Sequence, residues 1–337
     1  MKTLRLAICD NDRTYCNRLD DYLRSHLNLS FDIVSFTETK ILLDFAREHA
    51  IALLMISESL FLSLENKLEK GLFSNILIMD ETPQGMIAEP KLLSDVHIDH
   101  VSKYQAASGL VNGIIDFCAE TPEDFESVSS HVKLGKSRII GLYSPVTKSG
   151  QTTLSVEMAK AIAREKNKKV IFLSFESFSS LPALLEGDCD ENITDLLYYA
   201  DCEKSKFGLY LEKIKRHRDG VDFIMPAKTA IQVKEISFEK IRELMELLAD
   251  KAGYEYVVLD LTEYPEGFFD ILSMCDHIIT VCGKSTADAE RIRAYDMVLR
   301  ENLFSEIETK TIKVQLPDIR DKKAYNSLVS ELIERTL

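Results

Sequence analysis

Ile139-Ile140-Gly141-Leu142-Tyr143-Ser144-Pro145-Val146-Thr147-Lys148-Ser149-Gly150-Gln151-Thr152-Thr153-Leu154-Ser155 begins as an apolar run, turns through small and polar residues, and enters a helical pattern that lasts to about residue 166. Strand, turn and helix start in that order build a phosphate loop, in which backbone N–H groups at a helix N-terminus hold the phosphates. Of the pattern G-x-x-x-x-G-K-[ST], Gly150 and Thr152 are kept, but Gln151 stands where lysine is required. That lysine brings a full positive charge to the β- and γ-phosphates as the bond breaks, and a neutral amide does not. The stretch therefore predicts a nucleotide site at Thr147, Lys148, Ser149, Gly150, Gln151, Thr152 and Thr153, with weak or absent hydrolysis.

Downstream, strands are expected at 138–143, Lys169–Phe175, Asp222–Met225, Tyr256–Leu261, His277–Cys282 and Thr311–Gln315, with helices at 153–166, 237–252, 285–302 and 321–335. Upstream, residues 4–118 alternate short apolar runs (Leu4–Cys9, Phe31–Phe36, Ile51–Ile56, Asn75–Met79, His97–Val101) with helical stretches, giving five βα units. Residues 119–137 are polar and carry Pro, Gly and charge, as a linker does. The expectation is α/β with two doubly wound parallel sheets: residues 1–118, a linker 119–137, and residues 138–337. A chain of 337 residues exceeds what one core usually supports, which agrees.

The net charge of −14 is shared by both halves: residues 1–118 hold 11 Lys and Arg against 17 Asp and Glu, or −6, leaving −8 for the rest. Neither half is a basic nucleic-acid module. The densest basic run, Lys213-Ile-Lys215-Arg216-His217-Arg218, reads as the solvated face of a helical stretch. Seven cysteines include no C-x-x-C, so neither a disulfide framework nor a zinc site is expected, and His97-x-x-His100 has no ligand cluster beside it. No apolar run is long enough to span a membrane, and the N-terminus lacks the features of a signal peptide, so the expected location is the cytoplasm.

Five βα units with Asp10 and Asp12 after the first strand resemble the response-regulator receiver domain, over residues 1–118. The resemblance implies a flavodoxin-like sheet in which the acidic pair holds Mg²⁺, an aspartate ending the third strand accepts phosphate, and a lysine after the fifth strand stabilises it. Lys103 fits the lysine. The acceptor position is Ser57 or, one residue on, Glu58, and the fourth strand ends at Asp80 rather than Ser or Thr. Serine forms no acyl phosphate, so a degenerate receiver is expected. For Asp10 and Asp12 helix capping is the alternative reading.

The second half resembles the ParA/MinD group of deviant phosphate-loop ATPases, and together with the first half it resembles the TadZ/CpaE family of pilus-assembly proteins. Four features in order carry this: the loop 144–153; the strand Val170–Glu176, ending in Ser174 and Glu176 where the family has Asp-x-Asp; the Walker B-like strand Tyr256–Asp260; and the strand Asp276–Cys282 with its following helix cap. The resemblance implies bound ATP and Mg²⁺, with Thr152 and Asp260 as metal ligands, Glu176 positioning the attacking water, and Pro317 in a loop flanking the adenine. The signature lysine of the group falls at Val146, which leaves Lys148 as the cation of the loop, either meeting a phosphate or exposed.

As function the resemblance implies a homodimeric, ATP-dependent localisation factor at the cell pole that recruits tight-adherence pilus machinery. The alternatives are a partition ATPase moving cargo and a nucleotide-free scaffold whose pocket is filled by side chains. The last helix, with Leu328, Val329, Leu332 and Ile333 on one face, packs in a core or lies on a membrane; its lack of basic character favours the core.

Overall fold

The computed structural model describes residues 4–336 except 28, 30, 65–70, 83–95, 122–123, 126–136, 186–190, 303 and 319. The chain divides into two compact units, Met1–Ser130 with Gly208–Lys213, and His131–Phe207 with Ile214–Leu337.

The first unit has strands β1 (Leu4–Cys9), β2 (Phe31–Phe36), β3 (Leu53–Ser57), β4 (Asn75–Asp80) and β5 (His97–Ser102). They pair in parallel in the order β2-β1-β3-β4-β5. This is the flavodoxin-like order, whose crevice lies where β1 and β3 send their connections to opposite faces. Every residue of β3 is buried, as a parallel strand covered on both faces requires. The helix Arg13–His26 opens on Asp12 and buries Cys16, Leu19 and Leu23. The expected linker 119–137 starts inside this unit: the helix Ala107–Glu120 runs to its edge, and buried Phe125 meets Phe31 and Phe117 edge-on. Leu209 belongs to the same core.

The second unit has strands β6 (Arg138–Leu142), β7 (Val170–Ser174), β8 (Arg216–Arg218), β9 (Val221–Ile224), β10 (Tyr256–Asp260), β11 (His277–Val281) and β12 (Thr311–Val314). Their order is β12-β11-β6-β10-β7-β9-β8. All neighbours are parallel except β8, which runs antiparallel to β9 and makes the sheet mixed. Here the reading of the basic run as a solvated helical face is corrected. The helix Phe207–Ile214 takes in only the first two residues of the run; Arg216–Arg218 form a strand, and the chain turns back through Asp219 and Gly220, whose φ values of 52° and 83° form the left-handed two-residue turn a hairpin favours. Lys215 is buried against Asp222, a tertiary partner that makes burial of the cation tolerable.

The helix Gln151–Lys166 lies over the centre of this sheet, and the helix Lys322–Thr336 packs against it. Val329, Leu332 and Ile333 join Leu154, Met158 and Ile162 in one core cluster, so the last helix is a core helix rather than a membrane anchor. No helix among the described residues is long and apolar enough to cross a membrane.

Candidate functional site

The loop 144–150 leaves the C-terminal end of β6 at the middle of the sheet. Ser144 Oγ donates to Val281 O at 2.6 Å and accepts from Val146 N at 3.0 Å, pinning the start of the loop to β11. Val146, at the place of the signature lysine, is buried, while Thr147 and Lys148 are exposed. Two residues in left-handed backbone shape the turn, Lys148 with φ 55° and Gly150 with φ 85°. The glycine is required twice over, since a Cβ there would also stand 2.9 Å from Leu316 Cδ1. That contact sets the 315–318 loop, with half-buried Pro317, beside the phosphate loop. Gly150 is the N-cap of a 16-residue helix and makes no side-chain cap bond.

Gln151 and Asp260 meet at the floor of the site. β6 and β10 are neighbours, with Leu142 opposite Asp260, so the first residue of the helix faces the end of β10. Gln151 is buried, and its Nε2 donates to Asp260 Oδ1 at 2.7 Å and Leu142 O at 3.0 Å. Thr262 Oγ1 donates to the same carboxylate oxygen at 3.0 Å. Asp260 is fully buried, and its Oδ2 and the Ser174 hydroxyl have no hydrogen-bond partner at normal geometry among the described residues. Burial raises the Asp260 carboxyl above the usual carboxylate range, against the opposing pull of Gln151, Thr152, Thr262 and Ser174.

Glu176 lies at the rim of this floor. It accepts from Ser179 Oγ at 2.9 Å, and burial, reinforced by the charges of Asp260 and Glu263, raises its carboxyl. Glu263 in turn accepts from the backbone N–H and the hydroxyl of Ser177, tying the loop after β10 to the loop after β7. Phe178 between them has φ 52° and is 86% exposed. Thr262 and Glu263 were invisible as site residues in the sequence; the signal for them was their place directly after the Walker B-like strand. Thr153 is exposed, whereas Thr152 joins the cluster on Asp260.

In the first unit the structure separates the two aspartates. Asp12 caps the helix Arg13–His26, accepting from Thr14 N at 2.8 Å and Tyr15 N at 3.1 Å, which is the helix-capping alternative read from the sequence. Asp10 is fully buried; its Oδ1 accepts from Asp12 N at 2.8 Å, and its Oδ2 meets Lys103 Nζ at 2.6 Å. Lys103 also reaches Glu81 Oε1 at 2.8 Å and lies 5.0 Å from the centre of the Tyr15 ring. Of the two acceptor positions, Ser57 ends β3 and is fully buried, whereas Glu58 turns away to accept Glu81 N at 2.8 Å. Asp80 pairs with His100 at 2.7 Å, and His97 with Glu120 at 3.0 Å, so the two histidines do not converge. No group of three or more His, Cys, Asp or Glu suited to a metal occurs among the described residues.

No family model and no curated protein matches the chain. Among solved structures it is similar to a ParA family ATPase from Chlorobium tepidum at 17% identity, over 59% of this chain and 81% of that one, with a TM-score of 0.46. It is also similar to a plasmid partition protein from Borrelia burgdorferi at 17% identity, over 60% of this chain and 100% of that one, with a TM-score of 0.44. A third is the cobyrinic acid a,c-diamide synthase of Mycobacterium smegmatis with bound ADP and magnesium, at 14% identity over 58% and 81% of the two chains, with a TM-score of 0.39.

Proposed function

We propose that this chain is an ATP-binding localisation factor of the TadZ/CpaE kind, which holds its nucleotide with little or no hydrolysis and recruits pilus-assembly machinery as a homodimer. One observation carries the nucleotide part. The N-terminus of the helix Gln151–Lys166 is left uncapped beside a buried acid, while the residue at the hydrolytic lysine's place is a neutral amide turned onto that acid. An uncapped helix start offers backbone donors and a positive dipole end to an anion. The pilus and cell-pole part rests on the order of sequence features and on the pairing of a receiver-like unit with a phosphate-loop unit.

Mg²⁺ fits the residues present. Asp260 Oδ2 is buried and lacks a hydrogen-bond partner among the described residues, and Thr152 is the hydroxyl residue next to Gln151 that stabilises the same carboxylate. Asp260 and Thr152 would hold the ion, which supplies positive charge to phosphate oxygens. Pro317 and its neighbours would flank the base, and Lys148, exposed on the loop, is the cation that can reach the phosphates. Glu176 would orient a water; burial raises its carboxyl, and one of its oxygens is held by Ser179.

Calorimetric titration of nucleotide-free protein with ATP and Mg²⁺ tests the reading: saturable binding at tens of micromolar protein supports it, and no heat refutes it. The nucleotide-free scaffold is the second reading, favoured by the same Gln151 side chain, which fills the ground before Asp260. Loss of Mg²⁺-dependent binding in Thr152→Ala separates the two, since a scaffold has none to lose.

A further inference from the structure

The resemblance of the first unit to a receiver implies a divalent cation held by paired carboxylates, and the residues present do not fit it. Asp12, one of the expected ligands, is spent on the helix cap. The carboxylate that faces Asp10 is Glu81, and between them lies an ammonium group, 2.6 Å from Asp10 Oδ2 and 2.8 Å from Glu81 Oε1. The rings of Tyr15 and Tyr104 stand 5.0 and 5.9 Å from the same nitrogen. Tyr15 Oη donates to Lys103 O at 3.2 Å, so the lysine is held by its backbone as well as by its charge. Its side chain is 7% exposed and that of Asp10 is buried completely.

We propose that Lys103 is a built-in cation that occupies the divalent-ion position of this unit, making the unit a permanently filled site that takes neither Mg²⁺ nor a phosphoryl group. Charge balance supports this. An acceptor aspartate beside Asp10 and Glu81 would give three negative charges and leave room for a lysine and a metal together. With neutral Ser57 at that place there are two negative charges, one already met by the ammonium. A divalent ion within ligand distance of Asp10 Oδ2 would sit against the ammonium in a poorly solvated place, where like charges repel strongly. The Ser57 hydroxyl, fully buried and without a hydrogen-bond partner among the described residues, marks the spot where a charged acceptor is missing. Burial disfavours the ammonium, but the bonds to Asp10 and Glu81 outweigh it and hold Lys103 above its usual range.

The test counts bound Mn²⁺ in the full chain by electron paramagnetic resonance, with circular dichroism to confirm the fold. Lys103→Met empties the position and leaves Asp10 and Glu81 to a metal, so it should bind one more Mn²⁺ per chain than the wild type, and Mn²⁺ should raise its Tm more than that of the wild type. Adding Asp10→Asn to Lys103→Met should abolish both gains, and Lys103→Arg should keep the wild-type count. Equal counts in wild type and Lys103→Met would overturn the proposal. So would a wild-type count that falls on Asp10→Asn, because the site would then take metal with the lysine in place. That second comparison does not depend on the Lys103→Met protein folding.

Discussion

Gln151 and Thr152 are adjacent, yet one side chain is buried on Asp260 and the other is half-exposed beside the loop. If the missing charge is what slows hydrolysis, Gln151→Lys should raise ATP turnover, by roughly 10²–10³-fold where the ammonium is well placed. Phosphate release measures this. Wild-type turnover already at that level, abolished by Lys148→Ala, would instead assign the role to Lys148. Thr152→Ala should weaken Mg²⁺-dependent nucleotide binding at least tenfold while Thr153→Ala leaves it unchanged, because of the two threonines it is Thr152 that acts on the Asp260 carboxylate. Titration of both variants decides this, and equal losses would count against the assignment. The substitution at Gln151 is legible in the sequence because the loop pattern fixes its place. Its destination is not, since that depends on β10 lying next to β6, a pairing between segments far apart in the chain. Glu81 was illegible for a related reason: an acid after a strand has no spacing signal until the fold brings it and Asp10 onto the same ammonium.

The hairpin β8–β9 is held by one carboxylate. Asp222 accepts from Lys215 Nζ at 3.1 Å and Tyr254 Oη at 2.7 Å, and pairs with His217 Nδ1 at 2.7 Å. Burial works against its charge, but His217, Lys215 and Tyr254 together hold its carboxyl well below the usual range. A carboxyl lowered by folding stabilises the native state above its unfolded value, near pH 4, and that contribution is lost as pH falls further. Asp222→Asn should therefore cost about 3–5 kcal/mol at neutral pH and flatten the loss of stability below about pH 4. Denaturant midpoints measured between pH 7 and pH 3 check both, and parallel pH profiles for variant and wild type would show that Asp222 does not govern this region. Elements with strong periods were legible to the residue, as with Leu4–Cys9 and Phe31–Phe36. β8 was not, because three charged or polar residues carry no strand pattern and their pairing rests on the turn at Asp219-Gly220 and on buried Asp222. The helix at the phosphate loop begins at Gln151 rather than 153, since Gly150 turns the chain earlier than the paired threonines suggest.

At the scale of the whole molecule, a net charge of −14 works against a polyanion. A partition-type carrier needs a basic surface, so this protein should not be retained on DNA at about 0.15 M salt, where nonspecific binding depends on phosphate neutralisation. Retention that increases with ATP would favour the carrier reading. Charge also acts at the rim of the larger sheet. Its outermost strands are β8, written Arg216-His217-Arg218, and β12, where exposed Lys313 pairs with Asp296. An outer strand with unpaired backbone groups is a template onto which another chain can add, and positive side chains there repel a second copy of the same edge. The hairpin that corrects the reading of the basic run is therefore expected to limit self-association as well. Replacing Arg216 and Arg218 by Val should leave the native fold intact yet bring on turbidity when the protein is warmed, which would make those two arginines guards against self-association as well as parts of a hairpin.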